Sequence, residues 1–231
     1  MSILKTYAHV FDQDTFKNLA KLESSGLIKQ MFGAIGSGKE SYVFYAVDDH
    51  RREVAVKIHR HNIDSFRKIP AYLRLRGTKS GGFLKTIDDW TRYEFKFMVK
   101  AFKIGVNSAE PYRNYGNIIT MQFLGTEGKS ARLAVNDTDF DTAEWYSKII
   151  DAIINMGKSR MIHGDLSPYN IMNFNRKPFL IDFSQALSLS ASTLNFLVRD
   201  INNINTWFTR LGYKDIVKTE EIIRKIDESL V

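Results

Sequence analysis

Residues 162–183 read IHGDLSPYNIMNFNRKPFLIDF. NIMNF and PFLIDF are short apolar runs of strand length around an NRK turn, so the stretch predicts a small hairpin with Asp165, Asn170 and Asp182 about it. Singly these residues say little. An Asp at a strand end is usually a turn residue, an Asn is usually a cap, and a buried HGD can be a structural turn. Their spacing says more. Asp165 precedes Asn170 by five positions, and Asp182 closes the run Phe179-Leu180-Ile181. One carboxylate to orient or deprotonate an acceptor, and an amide oxygen with a second carboxylate to hold divalent metal against phosphates, suit phosphoryl transfer.

Such a site needs a phosphate cradle, and GAIGSGKES at residues 33–41 offers one. Gly33, Gly38 and Lys39 fit Gly-x-x-x-x-Gly-Lys, but a P-loop then needs Ser or Thr for magnesium, and Glu40 stands there. A P-loop also opens a helix, whereas SYVFYAV here reads as a strand, followed by a DDHRR turn and a second strand, EVAVKIH. Glycines on a strand–loop–strand unit, with Lys57 on the next strand, match the glycine-rich loop of a protein kinase instead. Alternation places Ala55, Lys57 and His59 on one face and Val54, Val56 and Ile58 on the other. Alone this is weak, since glycine-rich hairpins are common and a strand lysine is more often a solvated edge residue. Glu94, on a helix expected over 87–104, is the residue to pin the lysine. Glycine loop, strand lysine, helix glutamate, Asp-x4-Asn and strand-end Asp are hard to obtain in that order by chance.

Composition sets bounds. At 231 residues, 44% hydrophobic and 26% charged, the chain suits one large globular domain or two small lobes. It has no run of 18 apolar residues, no cleavable signal pattern and no cysteine, which sets aside a membrane helix, disulfides and thiolate metal sites and makes the cytoplasm the expected location. A net charge of +7 favours a polyanionic partner. From Arg67 to Lys85 there are six basic residues and no acidic one, with Tyr72 among them and glycines at 77, 81 and 82. This predicts a mobile basic loop over about 65–85, equally suited to contact RNA phosphates or to be a solvated loop or a lid over a nucleotide. His59 and His61 lack a third ligand in view and read as packing or surface residues rather than a metal site.

Periodicity predicts helix over 12–30, broken near Gly26, strands over 31–60, a strand in NIITMQFLG, and an amphipathic helix over 142–156 ended by Gly157. Helices also follow over 192–211 and from Thr219. The order gives an α+β, two-lobed, protein-kinase-like fold: a helical extension over 1–30, a small β-rich N-lobe over 31–124 and a mostly helical C-lobe over 125–231. It is truncated relative to ordinary protein kinases, with no Ala-Pro-Glu after Asp182 and only 16 residues between Asp182 and Arg199.

GSGKESYVFYA, AVKIHR, SFRK, WTRYEFKFM, HGDLSPYNIM, IDFSQA and FLVRDINNI together resemble, in order, the blocks of the RIO atypical protein kinases. The resemblance covers about residues 10–212, and the opening VFDQDTFKNLAKLESSGLI is most like the archaeal first subfamily. It implies ATP with Mg2+ or Mn2+, serine/threonine kinase or ATPase activity, and work on the pre-ribosomal small subunit or ribosomal RNA. It further implies that Gly36, Ser37, Gly38, Lys39, Glu40, Ser41 and Val43 form the phosphate loop, with Lys57 on the phosphates and Glu94 paired to it. Met121 would gate the adenine pocket, with Gln122, Phe123 and Leu124 as hinge. Asp165 would be catalytic, Asn170 and Asp182 would hold metal, Asp182 would accept the γ-phosphoryl group, and Asp200 would brace the catalytic loop. Two other functions stay open: a small-molecule phosphotransferase of the aminoglycoside or choline type, and a nucleotide- and RNA-binding scaffold with little turnover.

Overall fold

The computed structural model describes residues 11–60 and 87–227. The basic stretch Arg67–Lys85 and His61 lie outside them. By contacts the described chain forms two units: the first runs to Lys96 and resumes over Glu110–Ser130, and the second comprises Phe97–Ala109 and runs on from Ala131.

The first unit opens with helix α1, Gln13–Ser24. Asp12 caps it by accepting from the Asp14 and Thr15 amides. The helix is shorter than the expected 12–30. Gly26, at φ 75°, turns the chain, and Leu27 N–H closes back on the Leu22 carbonyl. A five-stranded antiparallel sheet follows: β1 Gln30–Ser37, β2 Ser41–Val47, β3 Glu53–His59, β4 Pro111–Tyr115 and β5 Ile118–Gln122, in the order β1-β2-β3-β5-β4. Val54, Val56 and Ile58 of β3 enter one core with Leu19, Leu22, Ile28, Phe44 and Ile118, so α1 covers that sheet face. Each fully buried Leu or Ile contributes about 1.5–3 kcal/mol. The other face of β3 is buried too, which makes Lys57 an interior lysine at 5% exposure rather than an edge residue.

β4 was not legible in the sequence. PYRNY is polar and starts with proline, both tolerable because β4 lies at the sheet edge, where a missing N–H costs nothing. β5 stops at Gln122, short of the expected NIITMQFLG, because Phe123 and Leu124 turn inward. The short strands β6, Gly125–Thr126, and β7, Lys129–Ser130, form a hairpin that stays with the first unit. There Gly128 N–H donates to Glu53 Oε1 at 2.7 Å, and the first unit runs on to Ser130. Helix α2, Ile87–Lys103, contributes its first ten residues to this unit.

The second unit is built on α3, Thr142–Lys158, whose Trp145, Ile149, Ile153 and Met156 line one buried face. The helix runs through Gly157, which therefore does not end it. A Cβ there would lie 2.6 Å from Ile226 of the last helix, so the glycine is present for close packing, and the turn falls at Arg160, φ 55°. The remaining elements are β8 Arg132–Leu133, β9 Met161–Ile162, β10 Ile171–Phe174, β11 Lys177–Leu180, β12 Leu187–Ser188, α4 Leu194–Arg210 and α5 Thr219–Asp227. Among the described residues no helix is long and apolar enough to cross a membrane.

Candidate functional site

The expected site residues fall into two groups, one in each unit. In the first unit, strand register aligns them. Gly36 pairs with Val43, Val43 with Lys57, and Lys57 with Ile119, a single row across β1, β2, β3 and β5. The next row on the same face is Tyr45, Ala55 and Met121. Tyr45 was missed in the sequence, although alternation within SYVFYAV places it with Val43. Phe123, one of the three expected hinge residues, lies tilted against the Tyr45 ring with centroids 5.0 Å apart. Phe123 and Leu124 bury their side chains, so any ligand contact from them is through backbone, whereas Met121 is only half-buried.

The β1–β2 turn is tight: Gly38 N–H donates to the Ser41 carbonyl at 2.9 Å, leaving Ser37, Gly38 and Lys39 exposed and Glu40 half-buried. A Cβ on Gly36 or Gly38 would make only ordinary contacts, nearest 3.7 Å, and neither has positive φ. The fold does not require glycine there, which fits a need for space above the hairpin.

The same unit holds a buried ion pair, Lys57 Nζ to Glu94 Oε1 at 2.6 Å. The other carboxylate oxygen, Oε2, lies 2.8 Å from His59 Nε2. An interior ion pair is rarely worth its desolvation cost as a stabilising device, since apolar residues of like volume often do as well or better. Its presence in the interior points to chemistry.

In the second unit the hairpin accounts for the spacing seen in the sequence. Ile171 pairs with Leu180, and Asn175 and Arg176 both take positive φ in the turn. Asn170 enters one end of the pair and Asp182 leaves the other. Ile181 N–H bonds the Asn170 carbonyl at 3.0 Å and ties the two ends together. Trp145 Nε1 donates to the Arg176 carbonyl at 2.8 Å, fixing the far end of the hairpin on α3. Asn170 Nδ2 donates to the Asp165 carbonyl at 2.7 Å and to Asp165 Oδ2 at 3.1 Å, which leaves the amide oxygen for a cation. Asp165 and Asp182 are exposed. Asp182 adopts φ 62°, ψ 75°, an unusual backbone for a side-chain-bearing residue, and its carboxylate accepts from Ser184 N–H at 3.2 Å. Among the described residues no group of three or more His, Asp or Glu side chains could hold a metal alone. One amide oxygen and one carboxylate nonetheless fit a magnesium ion, which keeps waters and shares substrate phosphates.

Asp200 on α4 braces this loop. Its carboxylate accepts from Gly164 N–H at 2.7 Å and Leu166 N–H at 2.9 Å, and Arg199 bonds the Gly164 carbonyl. Gly164 has φ 83°, and a Cβ there would press into the Gln185 carbonyl far inside van der Waals contact. Gly164→Ala should cost at least about 3 kcal/mol of stability, checked by urea unfolding. Burial pushes the Asp200 carboxyl above its usual value, opposed in part by His163 and the two amides. A raised folded-state value means the native state holds the proton more tightly than the unfolded chain. From this group, stability is therefore greatest at low pH and falls as pH rises from the ordinary value of 3.8 through the raised one. Asp200→Asn should remove that falling component and, by turning an NH2 toward one buried amide, cost about 1–3 kcal/mol. Denaturant unfolding across a pH series reads both.

The family model described as the RIO domain matches residues 42–222. The chain is 32% identical over 211 residues to the serine/threonine-protein kinase RIO3 of Caenorhabditis elegans, covering 87% of this chain but 41% of that one. It is 30% identical to the RIO-type serine/threonine-protein kinase Rio1 of Haloferax volcanii, covering 90% of this chain and 73% of the relative. Against the Rio1 of Methanocaldococcus jannaschii it is again 30% identical, covering 99% and 82%. The solved Rio2 kinase of Chaetomium thermophilum, in an ADP/Mg2+-phosphoaspartate complex, superimposes with a TM-score of 0.71 at 24% identity, over 92% of this chain and 66% of that one. At that identity the likeness shows the fold: a two-lobed, kinase-like α+β architecture.

Proposed function

This chain belongs to the RIO family, and on that premise we propose that it is an ATP-dependent phosphotransferase of the serine/threonine-kinase type. The observation that carries the reading is the buried pair of Lys57 and Glu94, mounted on the sheet face that Gly36 and Val43 share. Lys57 holds the α/β-phosphates, Glu94 aims it, and the Gly36–Ser41 turn lies over the phosphates. Tyr45, Ala55 and Met121 form the floor for the base. Asn170 and Asp182 would hold Mg2+, which would neutralise charge on the phosphates. The choice of Mg2+ over Mn2+ follows the solved relative.

Two routes follow for the γ-phosphoryl group. In one, Asp165 accepts the proton of a Ser or Thr hydroxyl as it attacks. In the other, an Asp182 carboxylate oxygen attacks phosphorus, the bond to ADP breaks, and water later cleaves the aspartyl phosphate, which makes an ATPase cycle. The phosphoaspartate of the solved relative favours the second. So does the short segment after Asp182, which folds into a 3-10 turn, Phe183–Gln185, and the two-residue β12. We assign the chain, on the same resemblance and its +7 charge, a polyanionic pre-ribosomal partner in the cytoplasm. Incubation with γ-labelled ATP and Mg2+, then hydroxylamine, tests the chemistry. Label released by hydroxylamine supports Asp182 as acceptor. Resistant label on Ser or Thr leaves Asp182 as a metal ligand, and no Mg2+-dependent ATP consumption contradicts the reading.

A further inference from the structure

We propose that His59 is a positioning residue for Lys57, acting through Glu94; this rests on Lys57 being the phosphate-binding lysine. Lys57 and His59 are two apart on β3 and so share a face, with side chains about 6.6 Å apart along the strand. The Glu94 carboxylate fills that gap, one oxygen 2.6 Å from Lys57 Nζ and the other 2.8 Å from His59 Nε2. The glutamate is thus held by two neighbours on one strand, and its rotation is restrained on both sides.

His59 is mounted more firmly than a space-filling residue needs. It is 1% exposed. Its N–H donates to the Asn117 carbonyl at 2.9 Å, and its carbonyl accepts from Asn117 Nδ2 at 2.8 Å. Asn117, itself fully buried, is fixed to α1 through Thr15 Oγ1 at 2.7 Å and Asn18 Nδ2 at 3.1 Å. The imidazole lies 6.3 Å from the Trp90 ring, and its Nδ1 has no hydrogen-bond partner among the described residues. The polar capacity of the ring is therefore directed at Glu94. The 2.8 Å contact lies off hydrogen-bonding geometry, and the proposed role requires the ring to rotate into alignment when phosphates arrive. As Lys57 Nζ turns toward them it gives up part of its hold on Glu94, and a buried carboxylate losing a partner is costly. An Nε2–H on Oε2 covers that loss and leaves more of the lysine charge for the phosphates.

The test is the affinity of the full chain for a non-hydrolysable ATP analogue and, in parallel, for adenosine. His59→Leu keeps the bulk but removes the donor. It should weaken analogue binding about tenfold, the size of one charge-assisted hydrogen bond, and leave adenosine binding unchanged. His59→Gln, which can still reach Glu94 with an N–H, should recover most of that loss. Equal weakening for both ligands, or no weakening for either, overturns the proposal and leaves His59 as core packing. If Lys57→Met also leaves analogue binding intact, the function reading fails instead. Should His59→Leu not fold, nitrogen-15 NMR of the wild-type ring decides. A His59 signal that shifts with the analogue but not with adenosine supports the role, and one that shifts with neither overturns it.

Discussion

Replacing Lys57 by methionine and Glu94 by leucine together should give a protein at least as stable as the wild type with turnover about a thousandfold lower. The stability half follows from burial. Both side chains are almost fully enclosed, and an interior ion pair exchanged for apolar groups of like volume is commonly neutral or stabilising by about 1–4 kcal/mol. The activity half follows because a preorganised charge on the phosphates is worth about 2.7–4 kcal/mol of barrier. The single change Lys57→Ala is a poorer probe. It takes the Lys57 ammonium away from the buried Glu94 carboxylate and should cost about 3–5 kcal/mol of stability, so lost activity would be confounded with lost fold. Thermal unfolding alongside ATP consumption separates the two. A double variant that unfolds early would show the pair to be structural.

Asp165→Ala should have the opposite profile to a core change: turnover down about a thousandfold, with unfolding little altered. The carboxylate is exposed, and its hydrogen bond comes from Asn170, whose Nδ2 also bonds the Asp165 backbone carbonyl and keeps that bond in the variant. The loop beneath it is held from the other side by Asp200 and Gly164. Affinity for ATP should change little, since Asp165 addresses the acceptor rather than the nucleotide. Single-turnover kinetics with a separate binding isotherm check this. Equal losses in binding and rate would mean that Asp165 acts mainly on the nucleotide.

Most elements of both groups were legible because their signals are local. β2 and β3 occupy the stretches marked by SYVFYAV and EVAVKIH, since β-branched and aromatic residues between polar turns define a strand without tertiary help. The spacing from Asn170 to the strand-end Asp182 reflects a two-residue turn between four-residue strands, a hairpin fixed by its own sequence. What could not be read depends on contacts distant in sequence. β4 exists because β5 pairs with it, despite Pro111. Gly157 reads as a helix end and is instead where Ile226, nearly seventy residues on, crosses α3 closely. His59 reads as half of a weak metal pair, and only the approach of Glu94 from α2 shows what it faces.

The central claim is that Asn170 and Asp182 hold the metal of a bound MgATP. Its most direct test is the ATP binding isotherm of the full chain with and without Mg2+, repeated for a variant carrying Asn170→Ala and Asp182→Asn. The wild type should bind ATP more tightly with Mg2+, and the variant should lose that gain while keeping its metal-free affinity. A Mg2+ effect of the same size in both would contradict the assignment.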